Sequence, residues 1–151
     1  MTSYDPKKAA EVWKRVQSAA PPRAPTPGQL LTMIADELED ATTYLYLSRH
    51  FRGKAAAMLQ AMSRQEQAHA SYLKGIYAML TGQRPQLHTA PAARIAPQLL
   101  LRQCYTRENQ CQSRYQALCS HPEYGQVFSR FAAQELEHCQ NLLLLLGNPK
   151  K

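Results

Sequence analysis

The placement of proline divides this chain into segments that can and cannot form long helices. Ten prolines leave three clear runs, at residues 28–84, 98–121 and 123–148. Proline breaks the interior of a helix but suits its first turn, so long helices are expected in these runs. The first run is too long for one globular helix, and Gly53 is a suitable residue at which to divide it. We therefore predict an all-α bundle of four helices, over about 28–52, 54–81, 95–119 and 122–146.

A short basic segment precedes the predicted bundle. We expect a helix near residues 6–19, joined to the bundle by the proline-rich linker 20–27. Its lysines and arginines could contact nucleic acid or an acidic partner, but Val12, Trp13 and Val16 favour packing on the bundle or on a second subunit. The predicted domains are an N-terminal helix with its linker, residues 1–27, and a four-helix bundle, residues 28–147.

Length and composition exclude several classes of protein. The 151 residues make about one domain, and a mean hydropathy of −0.48 excludes an integral membrane protein. The longest aliphatic run, Leu142–Leu146, is far short of the roughly 20 residues that span a bilayer. No apolar stretch near the N-terminus has the length of a signal peptide, so we expect a cytoplasmic location. Four cysteines without a Cys-x-x-Cys pair indicate reduced thiols rather than a zinc or rubredoxin-type site.

A glutamate interrupts the apolar seam of each predicted helix near its middle. Stepping along each helix alternately by four and three residues yields a heptad seam of the kind that packs four-helix bundles. A buried carboxylate costs several kcal/mol unless it is paired or bound to metal, and no Lys or Arg lies on any seam. Two divalent ions would neutralise four such carboxylates. The glutamates are Glu37, Glu66, Glu108 and Glu135, and a histidine follows two of them after three residues, at His69 and His138.

The remaining acids in the middle of the helices lie off these seams. We expect them to be solvated. For Asp40 the alternative is a hydrogen bond to a metal-ligating histidine. The four off-seam acids are Asp36, Glu39, Asp40 and Glu137.

The four predicted helices form two similar halves. Glu37 and Glu108 are each followed seven residues later by a tyrosine, Tyr44 and Tyr115. A step of three residues lets Glu and His of one helix approach one metal ion from the same side, and a step of seven returns to nearly the same face. We therefore predict two helical hairpins joined by one long crossover near 82–94, with both tyrosines on the bundle axis beyond the carboxylates.

The combination of these motifs is more specific than any one of them. A single Glu-x-x-His is a weak signal, but two of them with two further seam glutamates match the ligand set of dinuclear carboxylate bundles. Here the motifs are Glu37-x6-Tyr44, Glu66-Gln67-Ala68-His69, Glu108 and Glu135-Leu136-Glu137-His138. On these residues the sequence resembles the ferritin-like/rubrerythrin superfamily over about residues 28–146.

The resemblance implies a non-haem di-iron centre that reacts with dioxygen or hydrogen peroxide. Glu66 and Glu135 would bridge the two metal ions, and the other two glutamates would be terminal ligands. The metal ligands that the resemblance assigns are Glu37, Glu66, His69, Glu108, Glu135 and His138.

Two tyrosines and two cysteines on the seams have roles that the sequence leaves open. Tyr44 and Tyr115 are candidate catalytic residues, through a hydrogen bond to a carboxylate ligand or by shielding the site, and plain core packing is the alternative. Cys111 stands three residues after Glu108, where rubrerythrins carry an additional glutamate, so the ligand set is more like that of bacterioferritin. Small apolar packing is favoured for Cys104 and Cys111, with oxidation near the metal or weak ligation by Cys111 as alternatives.

The function implied is that of an oxidoreductase that reduces hydrogen peroxide or dioxygen, as a peroxidase or ferroxidase. Its cofactor would be two iron ions, with manganese as the other option because ligand types alone do not separate them. Electrons would come from a separate donor protein, since no flavin or rubredoxin motif is visible, and a homodimer is the family-typical assembly. The alternatives are a di-manganese, catalase-like centre and a non-catalytic bundle that binds DNA or protein, for which the net charge of +7 is the cue. We expect no membrane partner and no nucleic-acid partner.

Overall fold

The computed structural model describes residues 24–88 and 90–147, together with residues 6–8, 10, 11 and 14 near the N-terminus. The isolated N-terminal residues are helical, and the rest of the predicted N-terminal helix, including Val12, Trp13 and Val16, lies outside the described residues. The prediction of an all-α bundle is confirmed, since the described part of the chain contains four long helices and no strand. They are α1 (Pro27–Ser48), α2 (Gly53–Thr81), α3 (Pro97–Ala117) and α4 (Gly125–Gly147).

Local sequence signals set several of the helix ends. α1 begins at a capping box, in which the Thr26 hydroxyl accepts the Gln29 N–H at 3.1 Å and the Gln29 side chain accepts the Thr26 N–H at 2.9 Å. Each bond satisfies a backbone donor that has no partner within the helix. α2 ends at Thr81 and is capped by Gly82, whose φ of 69° lies in the left-handed region that favours glycine.

Four helix ends differ from the prediction by two or more residues. α3 spans Pro97–Ala117 instead of about 95–119, and the differences in α1 and α4 are larger. α1 stops at Ser48 instead of near residue 52, because the chain turns at residues 49 and 50 and Arg52 is extended. α4 begins at Gly125 instead of near residue 122. The reason is a turn held by the ring of His121, whose Nδ1 accepts the backbone N–H groups two and three residues later, at 3.2 Å and 3.1 Å.

The helices are arranged as two antiparallel hairpins. α1 packs along α2 and α3 packs along α4, and the hairpins approach each other more sparsely through the α2–α4 and α1–α3 pairs. The apolar core is divided into two clusters, one toward each end of the bundle. The first contains, among others, Leu30, Ile34, Leu73, Tyr115, Phe128 and Phe131, and the second Tyr44, Leu47, Leu59, Leu100, Leu101 and Leu142.

The predicted heptad seams coincide with the buried faces of the four helices. Nearly every seam residue is buried, and the exceptions are both on α2: Ala55 is half-buried in its first turn, and Leu80 is 51% exposed in its last turn. None of the helices in the described segments combines the length and the apolar character needed to cross a membrane.

Gly125 and Gly75 should respond in opposite ways to substitution by alanine. A Cβ at Gly125 would overlap the carbonyl oxygen of Cys119, whereas a Cβ at Gly75, on the exposed side of α2, meets nothing. We expect Gly125→Ala to destabilise the fold by about 1–3 kcal/mol through this overlap. We expect Gly75→Ala to stabilise it by about 0.5–1 kcal/mol, because alanine loses less backbone entropy in a helix. Urea unfolding of both variants checks this, and equal shifts of the same sign would contradict it.

Candidate metal centre

Six buried polar side chains form a layer between the two apolar clusters. Each helix contributes one glutamate from the middle of its seam, and α2 and α4 each add a histidine one turn further on. None of the six side chains is more than 2% exposed. The layer consists of Glu37 from α1, Glu66 and His69 from α2, Glu108 from α3, and Glu135 and His138 from α4. The fold thus brings together all six residues that the sequence marked as metal ligands.

The six side chains fall into two overlapping groups of four. In each group, ligand atoms of all four members lie within 4.8 Å of one another. Glu66 and Glu135 belong to both groups, so they occupy the shared position between two sites. The first group adds Glu37 and His69 to this pair, and the second adds Glu108 and His138.

Both histidines turn Nδ1 toward the carboxylates of the layer. Nδ1 of His69 lies 2.9–3.3 Å from one oxygen of each carboxylate in its group. Nδ1 of His138 lies 2.6–3.6 Å from one oxygen of each carboxylate in the other group. The two rings are nearly parallel, with centroids 6.4 Å apart. The Nδ1 atoms are therefore the nitrogen ligands that the layer offers.

Two glutamines, which the sequence analysis did not single out, hold the other nitrogen of each histidine. Nε2 of His69 is 2.8 Å from Oε1 of Gln134 on α4, and Nε2 of His138 is 2.6 Å from Oε1 of Gln65 on α2. The contacts are reciprocal, because each histidine pairs with the glutamine of the opposite hairpin. A sequence signal was present: a glutamine directly precedes the glutamate in both Glu-x-x-His motifs.

The two seam tyrosines make a second reciprocal pair of contacts. The hydroxyl of Tyr44 on α1 donates to Oε1 of Glu108 on α3, and the hydroxyl of Tyr115 on α3 donates to Oε1 of Glu37 on α1. Both rings are at most 1% exposed. Burial, and next the charge of the bonded glutamate, raises the pKa of each phenol well above its usual value, so both hydroxyls stay protonated and donate.

Protons neutralise much of the layer when no metal is bound. Burial, and next the charge of Glu135, raises the pKa of Glu66 well above its usual range, and burial with the Glu135 contact raises the pKa of Glu108 to about 7. Burial alone would lower the pKa of the histidines, but the carboxylates around them outweigh it. They raise the pKa of His69 to about 12 and that of His138 in the same direction.

The layer also contains buried polar atoms that make no hydrogen bond of suitable geometry within the described part of the chain. Both carboxylate oxygens of Glu66, both of Glu135 and Nδ1 of His138 are buried and have no hydrogen-bond partner of suitable geometry among the described residues. Such orphaned atoms are costly in a folded protein. Four carboxylates and two imidazole nitrogens are hard and borderline donors that suit divalent first-row metals. The residues present therefore fit a pair of divalent metal ions.

Three of the four off-seam acids form ion pairs with arginines, which the sequence did not predict. Asp40 is only 2% exposed, contrary to the expectation that it is solvated, and it lies 2.5 Å from the guanidinium of Arg107 on α3. The same guanidinium is 2.7 Å from Glu39. Asp36 forms an ion pair with Arg114. The heptad pattern could not show this, because these arginines flank the seam of the opposite hairpin. Glu137 is exposed, as expected.

The two seam cysteines flank the layer at opposite ends. Cys104 is fully buried in the second apolar cluster, where a guanidinium nitrogen of Arg107 lies 3.8 Å from its sulfur. Cys111 is 5% exposed and belongs to the first cluster. Neither sulfur is part of the two ligand groups that the described residues form. The four thiols of the chain are unpaired with one another.

Fold and site together define the class of the protein: a ferritin-like helical bundle with a buried carboxylate–histidine cluster that is suited to two metal ions. The family model described as Rubrerythrin matches residues 29–105, about half of the chain, and the chain belongs to this family. The matched range contains Glu37, Glu66 and His69. The other three members of the layer lie beyond it and join the cluster through the fold of the second hairpin. No curated protein matches the chain.

The metal-free chain should lose stability as the pH rises. Glu108 and His69 both have a folded-state pKa, of about 7 and about 12, above that of the unfolded chain. The folded state therefore binds more protons above about pH 4.5, and the stability that these protons confer is lost as the pH rises through the raised pKa values. We expect the melting temperature of chelator-treated protein to fall from about pH 5 to about pH 9. Calorimetry with and without chelator checks this.

A rise of the metal-free melting temperature over that range would contradict the assignment of protons to the layer. Protein reloaded with metal is the matched control. Its ligands must be deprotonated to bind metal, so the pH dependence should flatten or change sign.

Proposed function

We propose that this chain is a dinuclear metal protein that uses two iron ions to reduce hydrogen peroxide or dioxygen. The observation that carries the proposal is the sharing of Glu66 and Glu135 by both ligand groups. Two carboxylates that each offer ligand atoms to two adjacent groups are what a metal pair requires. In this proposal Glu66 and Glu135 would each hold both ions, and Glu37 and Glu108 would each hold one. Membership of the rubrerythrin family supports iron.

The chemistry of the metal pair is a two-electron reduction. Two ferrous ions would supply one electron each, and with two protons they convert one hydrogen peroxide to two waters. A separate donor protein would then return the electrons. The part of the chain described here contributes a site from which bulk water is excluded, since every member of the layer is at most 2% exposed. Exclusion of water strengthens each electrostatic contact in the layer and limits side reactions.

The reciprocal contacts around the layer hold its ligands in place. Each glutamine accepts the Nε2–H of a histidine, which leaves Nδ1 of that ring free of its proton when a metal binds. This is the usual way in which an outer partner fixes the tautomer of a ligating histidine. Each tyrosine donates to Oε1 of one of the outer glutamates, Tyr44 to Glu108 and Tyr115 to Glu37. In this proposal the tyrosines orient the terminal carboxylates and screen the site from neighbouring side chains.

Loss of the shared carboxylates should abolish metal binding. We expect protein produced with iron to carry about two ions per chain and the Glu66→Ala/Glu135→Ala variant to carry almost none, because each ion would lose two ligands. Glu37→Ala should retain about one. Glu137→Ala is the matched control, since this residue is exposed on the same helix as Glu135. Elemental analysis gives the stoichiometry, and a wild-type content well below two would refute the proposal.

The same samples identify the metal and the reaction. Anomalous scattering or electron paramagnetic resonance distinguishes iron from manganese, and manganese would favour peroxide disproportionation over reduction. Rapid mixing of the ferrous protein with peroxide should consume one peroxide for every two ferrous ions. A ratio far from this would argue against the two-electron reaction.

Replacement of the two glutamines should weaken metal binding without removing a ligand. We expect Gln65→Leu and Gln134→Leu to lower zinc affinity by about 10–100-fold each, as is typical for partners of ligating histidines. Gln67→Leu and Gln140→Leu are matched controls, because both glutamines are exposed on the same two helices. Competition with a chromophoric chelator measures the affinity. Affinities equal to those of the controls would show that the glutamines do not position the histidines.

We also propose a compartment and an assembly for the protein. A reducing compartment such as the cytoplasm suits four free thiols, of which three are buried. A homodimer is proposed from the family. We propose no role in binding nucleic acid.

A further inference from the structure

The internal repeat exposes a difference between the two ends of the metal layer. The residue three positions after the terminal glutamate is Asp40 in the first half and Cys111 in the second. The residue directly before the glutamate is Asp36 in the first half and Arg107 in the second. The two half-sites have matched ligands but unlike surroundings, so a small molecule would meet different barriers at the two ends.

At the end near Glu108 the space beside the ligands is filled. Asp40 and Arg107 form a close ion pair there, and the same guanidinium extends to Glu39 and to the sulfur of Cys104. Asp40 is 2% exposed, and Arg107 closes the end between it and the surface. Breaking a buried ion pair is costly, because it leaves a charge unpaired. The Asp40–Arg107 ion pair therefore keeps this end of the metal layer closed.

At the end near Glu37 the smaller side chain of Cys111 leaves a crevice instead. Its walls are Met33, Glu37, Cys111, Arg114 and Tyr115, so it reaches a member of the metal layer directly. A groove of about 730 Å³ lies next to the crevice, between the start of α1 and the end of α3, and Met33 and Arg114 line both spaces. The groove is also lined by polar side chains, namely Thr26, Gln29 and Thr32.

We propose that this groove and crevice are the route by which the oxidant reaches the metal layer. The molecule would pass between Met33 and Arg114, continue past Cys111 and meet first the half-site of Glu37 and His69. The inference rests on the proposed function for the identity of the oxidant. The ligands alone, which are nearly two-fold symmetric, do not indicate which half-site the oxidant reaches first, whereas the crevice does.

The side chains at the inner mouth restrict which molecules can pass. The crevice leaves no room for a water molecule in this conformation, so passage requires movement of Met33 or Arg114. Methionine is unbranched and adaptable, and the Arg114 side chain is 40% exposed and held by one ion pair to Asp36. Hydrogen peroxide and dioxygen are small enough to follow such a movement, and the groove offers hydrogen bonds to peroxide. Bulky organic hydroperoxides are excluded.

The cysteines at the two ends report on access directly. Burial raises the pKa of Cys104 to about 12 and raises that of Cys111 as well. Neither thiol is intrinsically reactive, and any large difference in labelling reflects access. We expect methyl methanethiosulfonate to modify Cys111 at least about tenfold faster than Cys104 in the folded protein. The reason is that a local opening of the crevice would expose Cys111 more often than global unfolding exposes Cys104. Mass spectrometry of peptides resolves the two rates within one sample.

Variants of the mouth test the route. Arg114→Ala, at a partly exposed position, should raise the Cys111 rate several-fold, and Met33→Trp should lower it toward the Cys104 rate. The matched controls are Met79→Trp and Arg102→Ala, which change exposed residues of α2 and α3. If Cys111 and Cys104 label at one rate in the wild type and in Arg114→Ala, only global unfolding exposes them and the route is wrong. The labelling experiment requires neither bound metal nor enzymatic activity.

Peroxide kinetics separate the route from the proposed function. Arg114→Ala should speed oxidation of the ferrous protein by tert-butyl hydroperoxide more than by hydrogen peroxide, while Arg102→Ala should leave the ratio unchanged. No oxidation by hydrogen peroxide in the wild type would refute the proposed function while the labelling result still decides the route. Oxidation with an unchanged ratio in Arg114→Ala, together with unchanged labelling, would refute the route alone.

Discussion

The burial of four carboxylates at one level of the bundle is the constraint on which the rest of the structure depends. A cluster of this charge cannot persist in an apolar core without compensation. Without metal, the compensation comes from two protonated histidines and from raised carboxyl pKa values. With metal, the same groups would exchange protons for cations. The apolar clusters on either side must then hold the helices while the middle layer changes its charge state.

The contacts that organise the layer also join the two hairpins. Within each hairpin the helices pack closely, but between hairpins the close backbone approaches are few. The reciprocal hydrogen bonds from the histidines to the glutamines, and from the tyrosines to Glu37 and Glu108, all run between the two hairpins. The site is therefore complete only when the two hairpins are packed together, and a metal pair would bind the halves to each other.

The two halves of the chain have matching residues at the ligand positions but different residues next to them. Ligands, glutamines and tyrosines occur in matched pairs, whereas Asp40 faces the layer in one half and Cys111 in the other. A charged residue and its arginine partner close one end, and a small thiol leaves space at the other. In the proposed route, matched ligands keep the two metal positions similar while the oxidant approaches only one of them.

The sequence by itself determined the helices, their buried faces and the six members of the layer, because proline placement and heptad spacing are local properties of the chain. It could not show that Gln65 and Gln134 serve the opposite histidines, or that Asp40 is buried on Arg107. Those contacts depend on how the two hairpins are rotated and spaced, which no single helix encodes. Helix ends at residues 48 and 125 likewise follow from turns that close through backbone and ring contacts. The tertiary structure alone decided which end of the site has the crevice, because that depends on how side chains from both hairpins fill one space.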